Sequence, residues 1–319
     1  MRVGALTRHR AIVATSMTAV AAVAVAFLPA PSAAAADVCV GAQAMSPYNA
    51  CVTDTSRALT PSPSKAEDDV PAAIYADACR SGGSEARVKA CTFGDPKGTV
   101  KAVLIGDSHA ANWFPAVHRL AKKHGWDLTV HFKAGCTWNA KALTWKGTAK
   151  LESCASWNTR VTKALLADPP GLIITTALVD NQFGAGEQGV QTAVAGYATN
   201  WQRLKTAGSA VVPIVDTPWT SDTALACMAR SHPETRNCGT KRRDALTRAN
   251  VMAMAAQQVD GVKAVNLNSY FCKDGFCPSA IGSITVYRDR GHLTRTYMST
   301  VAPYLNNRIP ERFYAAKYR

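Results

Sequence analysis

Between Ala102 and Leu267 the chain alternates short, mostly apolar runs with longer stretches whose apolar residues recur every three to four positions. The runs are "AVLIG" (102 to 106), "LTVHF" (128 to 132), "GLIITTAL" (171 to 178), "AVVPIVD" (210 to 216) and "VKAVNL" (262 to 267). Continuous rather than alternating hydrophobicity marks a strand covered on both faces. Between them the spacing predicts a helix through Val117, Leu120 and Ala121, one around Trp157, Val161 and Leu165, one from Val190 to Leu204 and one from Asp244 to Val259. A final helix is expected from Thr294 to Arg308. Buried strands separated by helices predict an α/β fold, a three-layer α/β/α sandwich around a mostly parallel, flavodoxin-like sheet. In such a fold ligands bind beyond the carboxyl ends of the strands.

The chain before residue 97 reads differently. Arg2, Arg8, His9 and Arg10 precede an apolar stretch from Ala11 to Leu28 and then "PAPSAAAAD", the pattern of a secretory signal peptide over residues 1–36. Ala34 and Ala36 point to cleavage before Asp37. The alternative is an uncleaved anchor, since the stretch approaches spanning length. The signal segment has no adjacent arginine pair, and "ADVC" is a poor lipoprotein box, so general secretory export to an extracytoplasmic location is expected. From Asp37 onward no stretch is apolar and long enough to cross a bilayer. Residues 37–96, with the Pro- and Ser-rich "ALTPSPSKAEDDVPAA" among four cysteines, read as a disulfide-stapled extension wrapped on a main domain at 97–319.

Composition agrees with export. The cysteines Cys39, Cys51, Cys79, Cys91, Cys136, Cys154, Cys227, Cys238, Cys272 and Cys277 all follow the proposed cleavage site, and their even number suits full pairing in an oxidising compartment. Sequence does not determine connectivity; pairing of consecutive cysteines, which closes short loops, is the expectation. No C-x-x-C or HExxH spacing suggests a metal site, and no cofactor is implied. The formal charge of +14 includes three arginines of the signal segment and favours anionic partners such as cell-wall glycans or membrane surfaces. Nucleic acid is not expected outside the cell, and "KRR" (241 to 243) reads as a solvated helical face.

The run "VLIGDSHAANWFPAV" (103 to 117) delivers Ser108 at the end of a buried strand and the start of a helix. There a hydroxyl projects at the sheet edge, and helix N-terminal N–H groups can stabilise an oxyanion. A serine needs a base, and the base an orienting carboxylate. His118 and His124 fall in the following helix and His131 in a strand, where packing or surface roles suffice. His232 lies in a loop between Cys227 and Cys238, and His109 suits buttressing the turn. That leaves His292 in "YRDRGHLTRTYM", three residues after Asp289 and before a helix that Thr294 caps.

"IGDSHAANW" with "DRGHL" resembles the SGNH (GDSL-like) hydrolase family, and more closely the SGNH domains at the C-terminus of membrane acyltransferases of the acyltransferase-3 family, which modify surface polysaccharides. "LTPSPSKAEDDVP", "ACTFGD" (90 to 95) and "FKAGCTW" (132 to 138) extend the similarity in the same order. The resemblance implies the SGNH hydrolase fold, Ser108 as nucleophile, His292 as general base and acid, and Asp289 as its orienting partner. It also implies an oxyanion hole from the backbone N–H groups of Ser108 and Gly135. The family's third donor, an asparagine in a G-x-N-D block, has no clean counterpart in "TTALVDN", where Asn181 lies one place away and the glycine is missing.

The implied activity is a secreted serine esterase, a hydrolase or transferase of O-acyl groups on cell-envelope or extracellular carbohydrate, with acetyl suggested by the family alone. The membrane acyltransferase domain is not in this sequence, so the protein either acts alone or receives acyl groups from a separate membrane acyltransferase partner. Two other readings stay open: a lipid or long-chain ester hydrolase, and an inactive carbohydrate-binding or accessory partner of a membrane acyltransferase. Trp113 and Trp138, close to the proposed site residues, suit sugar stacking, an acyl pocket or ordinary core packing equally; Trp145, Trp157 and Trp219 complete the prominent set.

Overall fold

A computed structural model describes residues 1, 4, 37–48, 51–144, 148–179, 182–230 and 237–315. The proposed signal peptide therefore lies almost wholly outside the described residues, as do Asn181, Trp145 and His232. In chain order the helices are α1 (Ala72–Tyr75), α2 (Ser108–His124), α3 (Thr148–Ala167), α4 (Gly186–Thr206), α5 (Asp222–Ala229), α6 (Arg242–Ala245), α7 (Val251–Gln257), α8 (Arg295–Thr300) and α9 (Ala302–Asn306). The central sheet comprises β1 (Arg80–Ser81), β2 (Cys91–Gly94), β3 (Val100–Gly106), β4 (Trp126–Lys133), β5 (Leu172–Thr176) and β6 (Ala210–Pro213).

The sheet order is β1-β4-β3-β5-β6, parallel throughout, while β2 runs antiparallel along the first half of β4. Side chains of a strand alternate between faces, and the two cores follow that alternation. Ala102 and Leu104 of β3, with Leu172 and Ile174 of β5, join the core beneath α2, α8 and α9. Val103, Ile105 and Ile173 join the opposite core with α3, α4 and α7. The result is a three-layer α/β sandwich with a mostly parallel sheet, as the apolar runs predict.

Part of the N-terminal extension is built into this sheet. β1 and β2 occupy successive lengths of the same edge of β4, and the Cys79–Cys91 disulfide joins them. Further upstream, Asp69 accepts hydrogen bonds from Arg295 Nε (3.1 Å) and the backbone N–H of Thr296 (2.8 Å) at the start of α8. The remaining bonds are Cys39–Cys51, Cys136–Cys154, Cys227–Cys238 and Cys272–Cys277, so each cysteine pairs with its neighbour in sequence.

Three expected elements differ. "VKAVNL" sits beside β6 but makes only an isolated bridge, Ile214 to Val265. Pro213 has no N–H to donate there, and Asn266 Oδ1 accepts the N–H of Asn268, turning the chain into a 3-10 turn at Asn268–Tyr270. The helix expected over 244 to 259 is split into α6 and α7, because the carbonyl of Ala245 accepts the N–H of Trp219 (3.0 Å) instead of a helical partner, and Asn250 restarts the helix by capping Ala253 N. The C-terminal helix breaks at Val301, where Pro303 cannot supply the next helical N–H. The "KRR" cluster spans the end of β7 (Gly239–Lys241) and the start of α6. β7 pairs with β8 (Phe276–Pro278), and the short strands β9 (Ala280–Ile281) and β10 (Ile284–Thr285) form the base of the loop that carries His292.

Candidate active site

Gly106 ends β3 with φ +152°, and a Cβ there would stand 2.5 Å from the carbonyl oxygen of Thr176, so glycine alone permits this tight exit from the sheet. The next residue, Asp107, is the N-cap of α2. Its Oδ1 accepts the His109 N–H (2.9 Å) and its Oδ2 the Leu178 N–H (2.9 Å), tying the first helical turn to the segment after β5. Burial pushes the Asp107 carboxyl above the usual carboxylate range, against the opposing charge of His109 and these two donors. Ser108 is thus the first residue of α2, where its N–H has no acceptor within the helix.

The C-terminal loop brings the other two residues to it. Arg288 N donates to His292 O (2.9 Å) and Thr294 N to Val286 O (2.8 Å), closing a narrow loop with Asp289 at its tip. Asp289 Oδ1 accepts the N–H groups of Gly291 and His292, which fixes the carboxylate under the imidazole. His292 Nδ1 lies 2.8 Å from Asp289 Oδ2, and Nε2 lies 2.9 Å from Ser108 Oγ. A carboxylate only accepts, so Nδ1 carries the proton and Nε2 is free to accept the serine hydroxyl proton. Partial burial would raise the Asp289 carboxyl, but the hydrogen bond and charge of His292, with the two backbone donors, hold it well below the usual range.

Beneath this set lies a second His–Asp pair. His109 Nδ1 is 2.5 Å from Asp216 Oδ1, and Asp216 also accepts the N–H groups of Thr217 (2.8 Å) and Val179 (3.1 Å). Burial alone would depress the His109 imidazole; the charge and hydrogen bond of Asp216, reinforced by Asp107 and Asp289, outweigh it and raise its pKa. The His109 and His292 rings are 5.4 Å apart. His109 therefore buttresses the turn, as expected, through a carboxylate that sequence reasoning missed. Asp216 follows β6 at the carboxyl edge shared with Gly106, and that placement of an acid at a buried strand end was the signal available.

The structure brings Ser108, Asp289 and His292 together. Gly135 lies in the turn after β4, the strand next to β3, with φ +63°; Asn181 lies outside the described residues. Trp113 and Trp138 are core residues, the latter donating from Nε1 to Thr162 Oγ1 (3.0 Å). The tryptophan beside the site is Trp219, whose ring is 5.9 Å from His109 and carries the Arg248 guanidinium 3.6 Å above it. Among the described residues no group of three or more His, Cys, Asp or Glu side chains is placed to hold a metal ion. No described helix is long and apolar enough to cross a membrane.

The arrangement places a carboxylate, an imidazole and a serine hydroxyl in hydrogen-bond sequence at the carboxyl edge of a parallel sheet. The family of SGNH domains fused to AT3 domains matches residues 78–307. Among solved structures, the periplasmic domain of the lipopolysaccharide acetyltransferase of Salmonella ser. Paratyphi A superposes with a TM-score of 0.52 at 15% identity, covering 66% of this chain and 84% of that one. Comparison with curated protein sequences finds no match.

Proposed function

The chain belongs to the family of SGNH domains fused to AT3 domains, and from that membership we propose that it is an exported serine esterase that removes or transfers a small acyl group on carbohydrate. The observation that carries this reading is the unbroken hydrogen-bond relay from Ser108 Oγ through His292 to Asp289. Ser108 attacks the ester carbonyl while His292 Nε2 takes its proton, and Asp289 stabilises the imidazolium that forms. The N–H groups of Ser108 and Gly135 receive the negative charge of the tetrahedral intermediate, with Asn181 as a candidate third donor. His292 then returns its proton to the departing alkoxide, leaving an acyl-enzyme and a free alcohol. Water resolves it in a hydrolase; a sugar hydroxyl resolves it in a transferase.

Acetyl as the acyl group and envelope carbohydrate as the substrate rest on the family and on the likeness to a lipopolysaccharide acetyltransferase domain. The transferase reading has specific support in the family's fusion to AT3 domains, which suggests a membrane acyltransferase as the acyl donor. The first test is hydrolysis of p-nitrophenyl acetate by the oxidised protein beside Ser108→Ala and His292→Ala. Loss of turnover in both folded variants supports the serine mechanism. A wild type no faster than either variant overturns it and favours an accessory, substrate-binding role.

A further inference from the structure

Behind Asp216 and Trp219 lies a cavity of about 160 Å³. About 150 Å³ holds one six-membered ring, so the space suits a single sugar unit or its substituent and is too small for a long acyl chain. Several of the side chains around it carry hydrogen-bond donors. Asn250 spends its side-chain oxygen on Ala253 N (3.1 Å), and Asn266 spends its own on Asn268 N (2.9 Å), so each has its NH₂ group left for the cavity. Arg242 and Arg248 contribute guanidinium groups, whose polar atoms are all donors. Asp216 does not cancel this character, because its oxygens are taken by His109, Thr217 N and Val179 N.

The cavity wall and the loop carrying His292 are one unit. Trp219 packs on His109, a Cβ on Gly291 would lie 3.5 Å from the Trp219 ring, and Thr220 N donates to Arg290 O (2.9 Å). Trp219, which lines the cavity, contacts His109, and His109 contacts the His292 ring, so a ligand held in the cavity is two side chains away from the triad. We propose that this cavity is a subsite for an anionic sugar residue, carrying a carboxylate or a phosphate, within the carbohydrate whose acyl group is handled at Ser108. The inference rests on the carbohydrate-ester reading above and adds the charge of the substrate to it.

The test is calorimetric titration of the oxidised protein with glucuronate, glucose 6-phosphate and glucose. At least one charged sugar is expected to bind about tenfold or more tighter than glucose, the scale of one charge-assisted hydrogen bond. Which of the two binds identifies the carboxylate or the phosphate as the recognised group. Arg242→Gln and Arg248→Gln should each weaken that binding about tenfold. Asn266→Asp, which keeps the acceptor for Asn268 N and replaces the amide donor with a carboxylate oxygen, should weaken it severalfold with the thermal midpoint unchanged, so a folding defect in an arginine variant leaves the question decidable. No binding by either charged sugar, equal binding of all three, or charged-sugar binding that survives the double arginine variant overturns the proposal. Heat rather than turnover is read, so this failure is distinguishable from failure of the esterase reading, which the p-nitrophenyl acetate assay reports.

Discussion

Two histidine–aspartate pairs flank Ser108, with similar contact distances and different surroundings. In the His292–Asp289 pair the side chains are 28% and 50% exposed; in the His109–Asp216 pair they are 2% and 9% exposed. The exposed pair points its free nitrogen at the serine and is anchored by backbone N–H groups of its own loop. The buried pair binds outward to Val179 and Thr217, holding the segments after β5 and β6 to the start of α2. Contact chemistry alone does not separate a pair aimed at a serine hydroxyl from an architectural one. What separates them is where the second nitrogen points and how many other elements the carboxylate ties down.

Variants at each pair should therefore fail in different ways. The largest effect is expected for Ser108→Ala and for His292→Ala: hydrolysis of p-nitrophenyl acetate falls by about 10³-fold or more while circular dichroism and the thermal midpoint stay near wild type. Next, Asp216→Ala strands a buried imidazole and two backbone donors, which costs roughly 3–5 kcal/mol and should appear as a shifted denaturant midpoint. If Asp216→Ala were as stable as the wild type, the architectural role would fall. Asp289→Ala should reduce kcat by on the order of 10²-fold or more, with less loss of stability than Asp216→Ala, since its side chain is half exposed.

The smallest effect distinguishes the pairs by pH. His109 has a folded pKa above its unfolded value, near 6.5. Its contribution to stability is fully present below about pH 6.5 and is lost as pH rises through the folded value. Denaturation curves of wild type and His109→Asn should converge with rising pH above that point, and a pH-independent gap would mean that His109 stays neutral in the fold.

The sheet was legible because β3, β5 and β6 are buried on both faces and so are apolar at successive positions. Ser108, Asp289 and His292 were legible because each occupies a recognisable local context: a strand–helix junction, and an acid three residues before a histidine in a loop. Asp216 and Trp219 were not, because their partners are far off in sequence. Asp216 after β6 meets His109 after β3 across the intervening β5, and Trp219 meets Arg248 only after the chain has passed through α5, β7 and α6. The splitting of the 244 to 259 helix has the same origin, an acceptor taken by a distant N–H, which periodicity within the segment does not register.

The five disulfides each join a cysteine to the next one along the chain, across separations of 5 to 18 residues. For a polypeptide delivered amino end first into an oxidising space, the correct partner of every unpaired thiol is thus the next thiol to arrive. Pairing in order of appearance then yields the native set without reshuffling.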